Sequence, residues 1–198
     1  LMKKIHSTLL ALVFQCLSCV SLAASPPDPE RLDLASVAVM VKDLDTGEVL
    51  YERNADMQKP IASLTKLMTA WVTLDDGAPL DERIPIAVEQ VPIMNNVHSR
   101  IRIGSTLPRA DVIRLALMSS ENRAAATLGH YYPGGMEAFI KAMNETAKGL
   151  DMRNTVYEEP TGLSSNNRST ASDIMRLLTI VDVHELVSSA SIASKRDA

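Results

Sequence analysis

Two patterns of hydrophobic positions succeed one another along this chain, first an alternating one and then a helical one. Residues 36–44 are rich in Val and Met, residues 48–54 alternate, and the Asp-Thr-Gly segment at 45–47 is typical of a tight turn. This pattern predicts a β-hairpin. The preceding residues 24–33 carry three prolines in four positions, which suit neither a helix nor a strand ladder, and we expect them to form a leader.

A buried helix is predicted next, from Pro60 to about Leu74. The segment has a proline in its first turn, and Asp75-Asp76-Gly77 closes it. Because the segment is apolar nearly all round, it must be covered by the rest of the fold.

The remaining elements are short strands followed by helices. Residues 83–86 and 100–103 alternate and predict a small accessory hairpin. Helices are predicted over 109–118, from about Asn122, over 136–150 and from a capping box at Thr170-Ala171-Ser172-Asp173. Strands come before helices with no regular β-α alternation, which predicts the α+β class.

The N-terminal residues 1–23 are typical of a secretory signal peptide. Lys3 and Lys4 precede an apolar run over 9–22, and small residues at 21 and 23 favour cleavage after Ala23. A membrane anchor is the alternative, but the run is shorter than the roughly 20 residues that a spanning helix needs. We therefore expect export to the periplasm, with no transmembrane helix after signal removal.

Charge and cysteine content limit which partners, metal sites and nucleophiles the chain can have. The formal charge of -4 and pI of about 5.6 disfavour nucleic acid as a partner. Both cysteines, Cys16 and Cys19, leave with the signal peptide, and neither follows the pattern that lipidation requires. The histidines at 98, 130 and 184 lack metal-ligand spacing, so we expect no metal site. A nucleophile in the mature chain must be a hydroxyl or an amine.

A Ser-Leu-Thr-Lys segment at 63–66 is the first candidate for chemistry. A spacing of three places the Ser63 hydroxyl and the Lys66 amine on one helix face. Burial in an apolar helix and the positive helix N-terminus both lower a lysine pKa, so neutral Lys66 could accept the Ser63 proton. The same spacing also occurs in ordinary helices, where the lysine reaches water.

A Ser-Glu-Asn segment at 120–122 is the second candidate. It lies at the predicted junction between two apolar helices, where polar side chains can project into a cleft. Ser120 could relay a proton and Asn122 could hold a peptide substrate. A helix-helix turn of ordinary composition is the alternative interpretation.

Three segments together resemble one enzyme family. They look like the D-alanyl-D-alanine peptidases among the low-molecular-mass penicillin-binding proteins, whose motif set contains Ser-x-x-Lys, and residues 131–135 and 143–144 favour the endopeptidase type. The segments are Ala62-Ser63-Leu64-Thr65-Lys66-Leu67-Met68-Thr69-Ala70, Ser119-Ser120-Glu121-Asn122-Arg123-Ala124-Ala125 and Glu159-Pro160-Thr161-Gly162-Leu163-Ser164.

The resemblance implies roles for the candidate residues. Ser63 would be the acylated nucleophile, Lys66 its base, and Ser120 and Asn122 the second catalytic element, with the Ser63 backbone N–H in an oxyanion hole. The substrate would be a D-alanine-containing stem peptide of peptidoglycan, no cofactor is implied, and β-lactams would acylate the same serine.

The family's third motif, Lys-Thr-Gly, is absent from the sequence. We therefore expect residues 34–198 to form a partial peptidase domain that lacks C-terminal strands, with an incomplete antiparallel sheet, the N-terminal hairpin alone, packed on a mainly helical subdomain. A two-stranded hairpin is marginal by itself, so an exposed strand edge and apolar surface are expected there, with weak or no peptidase activity in this chain.

Three alternatives remain open at this point. A D-alanyl-D-alanine carboxypeptidase would cut a different bond with the same residues. A non-catalytic remnant would bind stem peptide without cleaving it. A β-lactamase would need a water-activating Glu with an Asn four residues later, and Glu159 is followed at that position by Leu163.

Overall fold

A computed structural model describes residues 33–88, 94, 98–181 and 184–187 of the chain. The predicted signal peptide and nearly all of the leader lie outside the described residues. The part from Ala35 onward belongs to one compact unit. No described helix is long and apolar enough to cross a membrane.

The predicted N-terminal hairpin is confirmed. Strands β1 (Val39–Lys42) and β2 (Val49–Arg53) pair antiparallel, with an irregularity in register between Val41 and Lys42. The turn forms because the Asp43 carboxylate accepts hydrogen bonds from the backbone N–H groups of residues 45 and 46, at 2.9 and 2.8 Å. Gly47 supplies the positive φ of +75° that completes it.

The buried helix begins later than the sequence predicts. Pro60 lies in strand β3 (Lys59–Pro60), a 3₁₀ turn spans Ala62–Leu64, and helix α1 spans Thr65–Asp75. The prediction was wrong about Pro60 because residues 59 and 60 pair antiparallel with β6 (Arg168–Ser169), far along the chain. Ala62, at φ +45°, then breaks any continuous helix.

The accessory hairpin forms with a different second strand. Strand β4 (Arg83–Pro85) pairs with β5 (Thr106–Pro108), not with residues 100–103 as predicted. Residues 100–103 precede a turn at Gly104, where φ is +81°, and the backbone of Ile86 bonds to residues 104 and 105. Alternation marked the right region, but turn geometry decides where pairing starts.

The predicted helices are confirmed. They are α2 (Arg109–Met118), α3 (Asn122–His130), α4 (Gly135–Gly149) and α5 (Ala171–Val181). Thr170 Oγ1 accepts a 3.0 Å hydrogen bond from the backbone N–H of Asp173, so it caps α5. The other half of the predicted capping box does not form, because the Asp173 carboxylate accepts from residues 154, 155 and 176 instead.

Helix α1 lies at the centre of the fold and contacts α2, α3, α4 and α5. The hydrophobic core around it confirms the α+β class with a mainly helical body. Its members with no exposed surface include Met68, Ala70, Val112, Ile113, Ala124, Ala125, Phe139, Met143 and Leu177.

Strand β1 of the hairpin packs against α5, and apolar side chains in and beside the hairpin remain exposed, as predicted. Val37, Val41, Val49 and Leu50 are between 40% and 58% exposed. In the described part of the chain, β1 and β2 form a sheet of two strands with no third neighbour.

Candidate active site

Ser63, in the 3₁₀ turn, and Lys66, in the first turn of α1, lie together, as the sequence predicts. Ser63 is exposed in the 3₁₀ turn, whereas Lys66, one turn later, is 2% exposed. Lys66 Nζ donates a 3.3 Å hydrogen bond to Ser63 Oγ. The geometry therefore combines a solvent-accessible hydroxyl with a buried amine in direct contact.

Ser120 reaches the same point from the α2–α3 junction. Its hydroxyl donates a 2.7 Å hydrogen bond to Ser63 Oγ. Ser120 adopts φ +52°, a left-handed conformation that is uncommon for a residue with a side chain and is enriched at functional sites. The three side chains line a cleft of about 440 Å³ whose other walls are apolar, formed by Ile61, Ala62, Leu64, Leu67, Ala116 and Leu117.

Asn122 takes no part in these hydrogen bonds. It is the first residue of α3 and is half-buried, and its side chain makes no hydrogen bond to another residue that the structure describes. Glu121 caps the helix, because its carboxylate accepts a 3.0 Å hydrogen bond from the backbone N–H of Arg123. The structure thus brings Lys66 and Ser120 into contact with Ser63, while the Asn122 amide takes no part in those contacts.

Burial changes the protonation of Lys66. Loss of hydration lowers the pKa of its amine from 10.5 to about 8, although the negative charges of Glu159 and Glu121 act in the opposite direction. At pH 7 roughly one amine in ten is then neutral, against about one in three thousand at the ordinary value. Near neutral pH a substantial fraction of Lys66 is therefore in the neutral form that can act as a base.

A loop over residues 159–167 closes the site behind Lys66, and its role was not evident from the sequence. The Thr161 carbonyl accepts a 2.6 Å hydrogen bond from Lys66 Nζ. Both carboxylate oxygens of Glu159 accept hydrogen bonds from backbone N–H groups of this loop, at residues 161, 162 and 164. Glu159 therefore acts as an internal anchor of its loop, and its oxygens are occupied there instead of on a water beside Ser63.

Gly162 packs this loop directly on the residue before Ser63. Its φ is +83°, and a Cβ at this position would lie 1.9 Å from the Ala62 carbonyl oxygen. Such a contact is possible only for glycine. Sequence spacing gives no sign of it, because the two residues are 100 positions apart.

Comparison with known families and proteins agrees with this geometry. Residues 22–198 match the peptidase S11 family, described as D-alanyl-D-alanine carboxypeptidase. The chain is 50% identical to a D-alanyl-D-alanine endopeptidase of Pseudomonas aeruginosa over 96% of its length and 64% of the relative's. It is 48% identical to the D-alanyl-D-alanine endopeptidase of Escherichia coli over 87% of its length and 56% of that protein's. The chain therefore spans less than two thirds of these relatives.

Solved structures give the same picture. The cefotaxime-bound penicillin-binding protein D2 of Listeria monocytogenes superposes with a TM-score of 0.65 at 33% identity, over 76% of this chain and 63% of that one. A DD-transpeptidase of Streptomyces K15 superposes with a TM-score of 0.74 at 25% identity, over 80% and 65% of the two chains. The fold and the family resemblance thus point to the same group of proteins.

Proposed function

The chain belongs to the peptidase S11 family, and from that premise we propose that it is a serine D-alanyl-D-alanine endopeptidase that cuts peptide cross-links in peptidoglycan. The observation that carries the proposal is the pair of contacts at Ser63, whose exposed hydroxyl accepts hydrogen bonds from the buried Lys66 amine and from the Ser120 hydroxyl. The names of the relatives supply the substrate class.

Acylation follows from the positions of these groups. Neutral Lys66 accepts the Ser63 proton as Oγ attacks the D-alanine carbonyl carbon, and the carbonyl oxygen becomes an oxyanion. When the oxyanion collapses, the C–N bond breaks and the proton passes to the leaving nitrogen by way of the Ser120 hydroxyl. The free amine departs, and an ester on Ser63 remains.

Deacylation repeats the same steps with water. Lys66 accepts a proton from water as the water oxygen attacks the ester carbon. The C–O bond to Ser63 then breaks, the Ser63 oxygen recovers the proton, and the peptide leaves with a free carboxyl end. In this proposal the Asn122 amide binds the substrate backbone, since its hydrogen-bonding groups are not used by the three other site residues.

Carboxypeptidase action is the second candidate, because the matched family is described by that activity. The two activities use the same acyl-enzyme and differ in the leaving group, which is a neighbouring stem peptide in one case and a terminal D-alanine in the other. Incubation of the chain with cross-linked muropeptide dimers beside pentapeptide monomers, followed by mass spectrometry, separates them. Endopeptidase action releases monomers from the dimers and leaves the pentapeptides intact.

Labelled penicillin tests the acylation step itself. Solved structures of a relative carry cefotaxime and ampicillin, so we propose that β-lactams acylate Ser63. The purified chain should take up labelled penicillin covalently, and Ser63→Ala should take up none. Absence of label on the unaltered chain, together with muropeptide binding in a pull-down, would favour the non-catalytic alternative.

We also propose that the enzyme acts in the periplasm, where peptidoglycan lies, after removal of residues 1–23. The support is the charge and hydropathy pattern of that segment. N-terminal sequencing of the exported protein should begin at Ala24, and an intact N-terminus in the exported fraction would contradict the proposal.

A further inference from the structure

The Lys66 amine donates a short hydrogen bond to a peptide group of the 159–167 loop. The amine lies 2.6 Å from the Thr161 carbonyl oxygen and 3.3 Å from Ser63 Oγ, so the carbonyl is its closer partner. A lysine side chain is a flexible four-carbon stem with a point charge at its end. The position of the Thr161 carbonyl oxygen, which accepts from the amine, therefore determines how the amine approaches Ser63 Oγ.

The Glu159 carboxylate fixes the orientation of that peptide group. The carbonyl of Thr161 and the N–H of Gly162 belong to one planar trans peptide, and they point in opposite directions. Glu159 Oε1 accepts a 2.6 Å hydrogen bond from the Gly162 N–H, which turns the carbonyl end toward Lys66. Glu159 Oε2 accepts a further 2.6 Å bond from the Thr161 N–H.

A buried amide holds the carboxylate in turn. Asn167 has no exposed surface, and its Nδ2 donates to the Glu159 carbonyl at 2.8 Å and to Glu159 Oε1 at 3.0 Å. The same nitrogen donates at 3.1 Å to Thr65 Oγ1, on the residue next to Lys66. Asn167 Oδ1 accepts from the backbone N–H groups of residues 158 and 159. Asn167 thus joins the loop to the first turn of α1.

We propose that Glu159, held by Asn167, is a positioning residue that acts through the Thr161–Gly162 peptide to hold the Lys66 amine against Ser63. Glu159 touches neither substrate nor nucleophile in this scheme. The inference rests on the proposed acylation of Ser63 for its kinetic consequence, while the arrangement of the amine is a property of the folded chain alone.

The kinetic test compares two neighbouring glutamates. In Glu159→Gln, the amide nitrogen cannot accept the hydrogen bonds that one carboxylate oxygen accepts now, so the peptide loses part of its support. Glu158→Gln is the matched control, because Glu158 is exposed and, among the described residues, its carboxylate accepts hydrogen bonds from the Ser164 and Asn166 side chains and not from the 161–162 peptide. We expect Glu159→Gln to lower the plateau rate of acylation by labelled penicillin about 10- to 100-fold, the scale of a misplaced catalytic group. Glu158→Gln should stay within about twofold of the unaltered chain.

The pH profile separates the electrostatic effect of Glu159 on Lys66 from a general loss of structure, whereas the plateau rate reports the placement of the amine. Two carboxylates, Glu159 and Glu121, raise the pKa of Lys66, so removal of the Glu159 charge should move the acid limb of the acylation profile to lower pH. A merely unstable protein would lose active molecules at every pH without moving that limb. The control variant keeps both carboxylates and should keep the limb in place.

A second measurement does not depend on activity. NMR of protein labelled at lysine Cε follows the Lys66 titration directly, and we expect a midpoint near pH 8 that falls in Glu159→Gln and stays in Glu158→Gln. If the unaltered chain is not acylated, the proposed function fails, and the Lys66 titration in a variant that keeps the Glu159 charge but loses a hydrogen bond to its carboxylate, Thr161→Val, still tests the inference. An unchanged midpoint together with an unchanged acylation rate in Glu159→Gln would overturn it.

A gentler variant covers the case in which Glu159→Gln does not fold. Thr161→Val removes the hydroxyl that donates to Glu159 Oε2 and leaves the peptide intact. We expect a loss of about threefold in the acylation rate of the folded variant, and a lower melting temperature because the Leu163 N–H also loses its 3.2 Å hydrogen bond to this hydroxyl. An unchanged rate in this folded variant, with an unchanged Lys66 midpoint, would contradict the inference in the same way.

Discussion

The Lys66 amine carries a stability cost that matches its proposed task. Its pKa in the folded chain is lowered to about 8, whereas an unfolded chain returns it to 10.5. The unfolded state therefore binds the proton more tightly, and the cost is fully present below pH 8 and disappears as the pH rises through 10.5. A base that is partly neutral at physiological pH is obtained at the expense of fold stability.

Replacement of Lys66 by methionine should expose this cost. Lys66→Met should abolish acylation, and the free energy of unfolding of the unaltered chain should rise by about 2 kcal/mol relative to Lys66→Met between pH 6.5 and 9.5. Denaturant unfolding of both proteins at the two pH values measures the difference, since all other groups titrate in both. A pH-independent difference would mean that the amine keeps its ordinary pKa.

Ser120 and its neighbour Ser119 allow a matched comparison of two serine-to-alanine variants. Both are exposed at the end of α2, but only the Ser120 hydroxyl contacts Ser63. Ser120→Ala should slow acylation by about 100-fold, the usual scale of a lost proton-transfer group. Ser119→Ala should stay within about twofold, and labelled penicillin measures both. Equal rates for the two variants would remove Ser120 from the mechanism.

Contacts between residues close in sequence could be predicted, whereas contacts between residues far apart in sequence could not. The contact between Ser63 and Lys66 follows from helical periodicity and is confirmed. Their link to Ser120 depended on family resemblance, because no local rule places residues 57 positions apart. Glu159 and Asn167 were missed as supports of Lys66, since their bonds arise only once the loop folds over α1.

Among the secondary-structure elements, local sequence patterns identified the helices well and the short paired strands poorly. Proline at position 60 is compatible with a helix start by local rules, yet the pairing of β3 with β6 overrides them. The resulting 3₁₀ turn presents Ser63 toward solvent while α1 stays buried. Tertiary pairing thus shapes the segment that holds the candidate nucleophile.

Gly162 is the position in the contact between the 159–167 loop and the 3₁₀ turn where an added side chain would be least tolerated. In Gly162→Ala the new methyl group would meet the Ala62 carbonyl at 1.9 Å and the Ser63 nitrogen at 3.0 Å, in a backbone conformation with φ +83°. We expect a loss of more than about 3 kcal/mol in unfolding free energy, as for other steric conflicts at a buried backbone contact. Gly77→Ala is the control, because it has a similar φ and no atom within 4 Å of the added carbon.

Thermal unfolding compares the two variants directly. The control reports the cost of a positive φ alone, and the difference between the two reports the clash with Ala62. Equal melting temperatures would show that the loop can move away from the 3₁₀ turn at little cost. Acylation measured on the folded fraction should then also be unaffected in Gly162→Ala.

For the whole molecule, the exposed hairpin governs behaviour in solution. A sheet of two strands with exposed apolar side chains, and with no third strand beside it in the described part of the chain, is a template for pairing with another strand. We expect purified chains to self-associate through the hairpin, so that the average mass in sedimentation velocity rises with concentration above 21.6 kDa.

Val41→Lys tests this expectation, because the valine lies in β1 and is 40% exposed. A charge on the hairpin should repel a second copy and weaken association by about tenfold, which corresponds to about 1.4 kcal/mol. Ile103→Lys is the matched control, since Ile103 is 48% exposed but lies in the turn before β5, outside the hairpin. If both variants weaken association equally, general hydrophobicity is responsible; if only Val41→Lys does, the hairpin is the contact surface. A monomer at every concentration would show that the hairpin edge is inert in this chain.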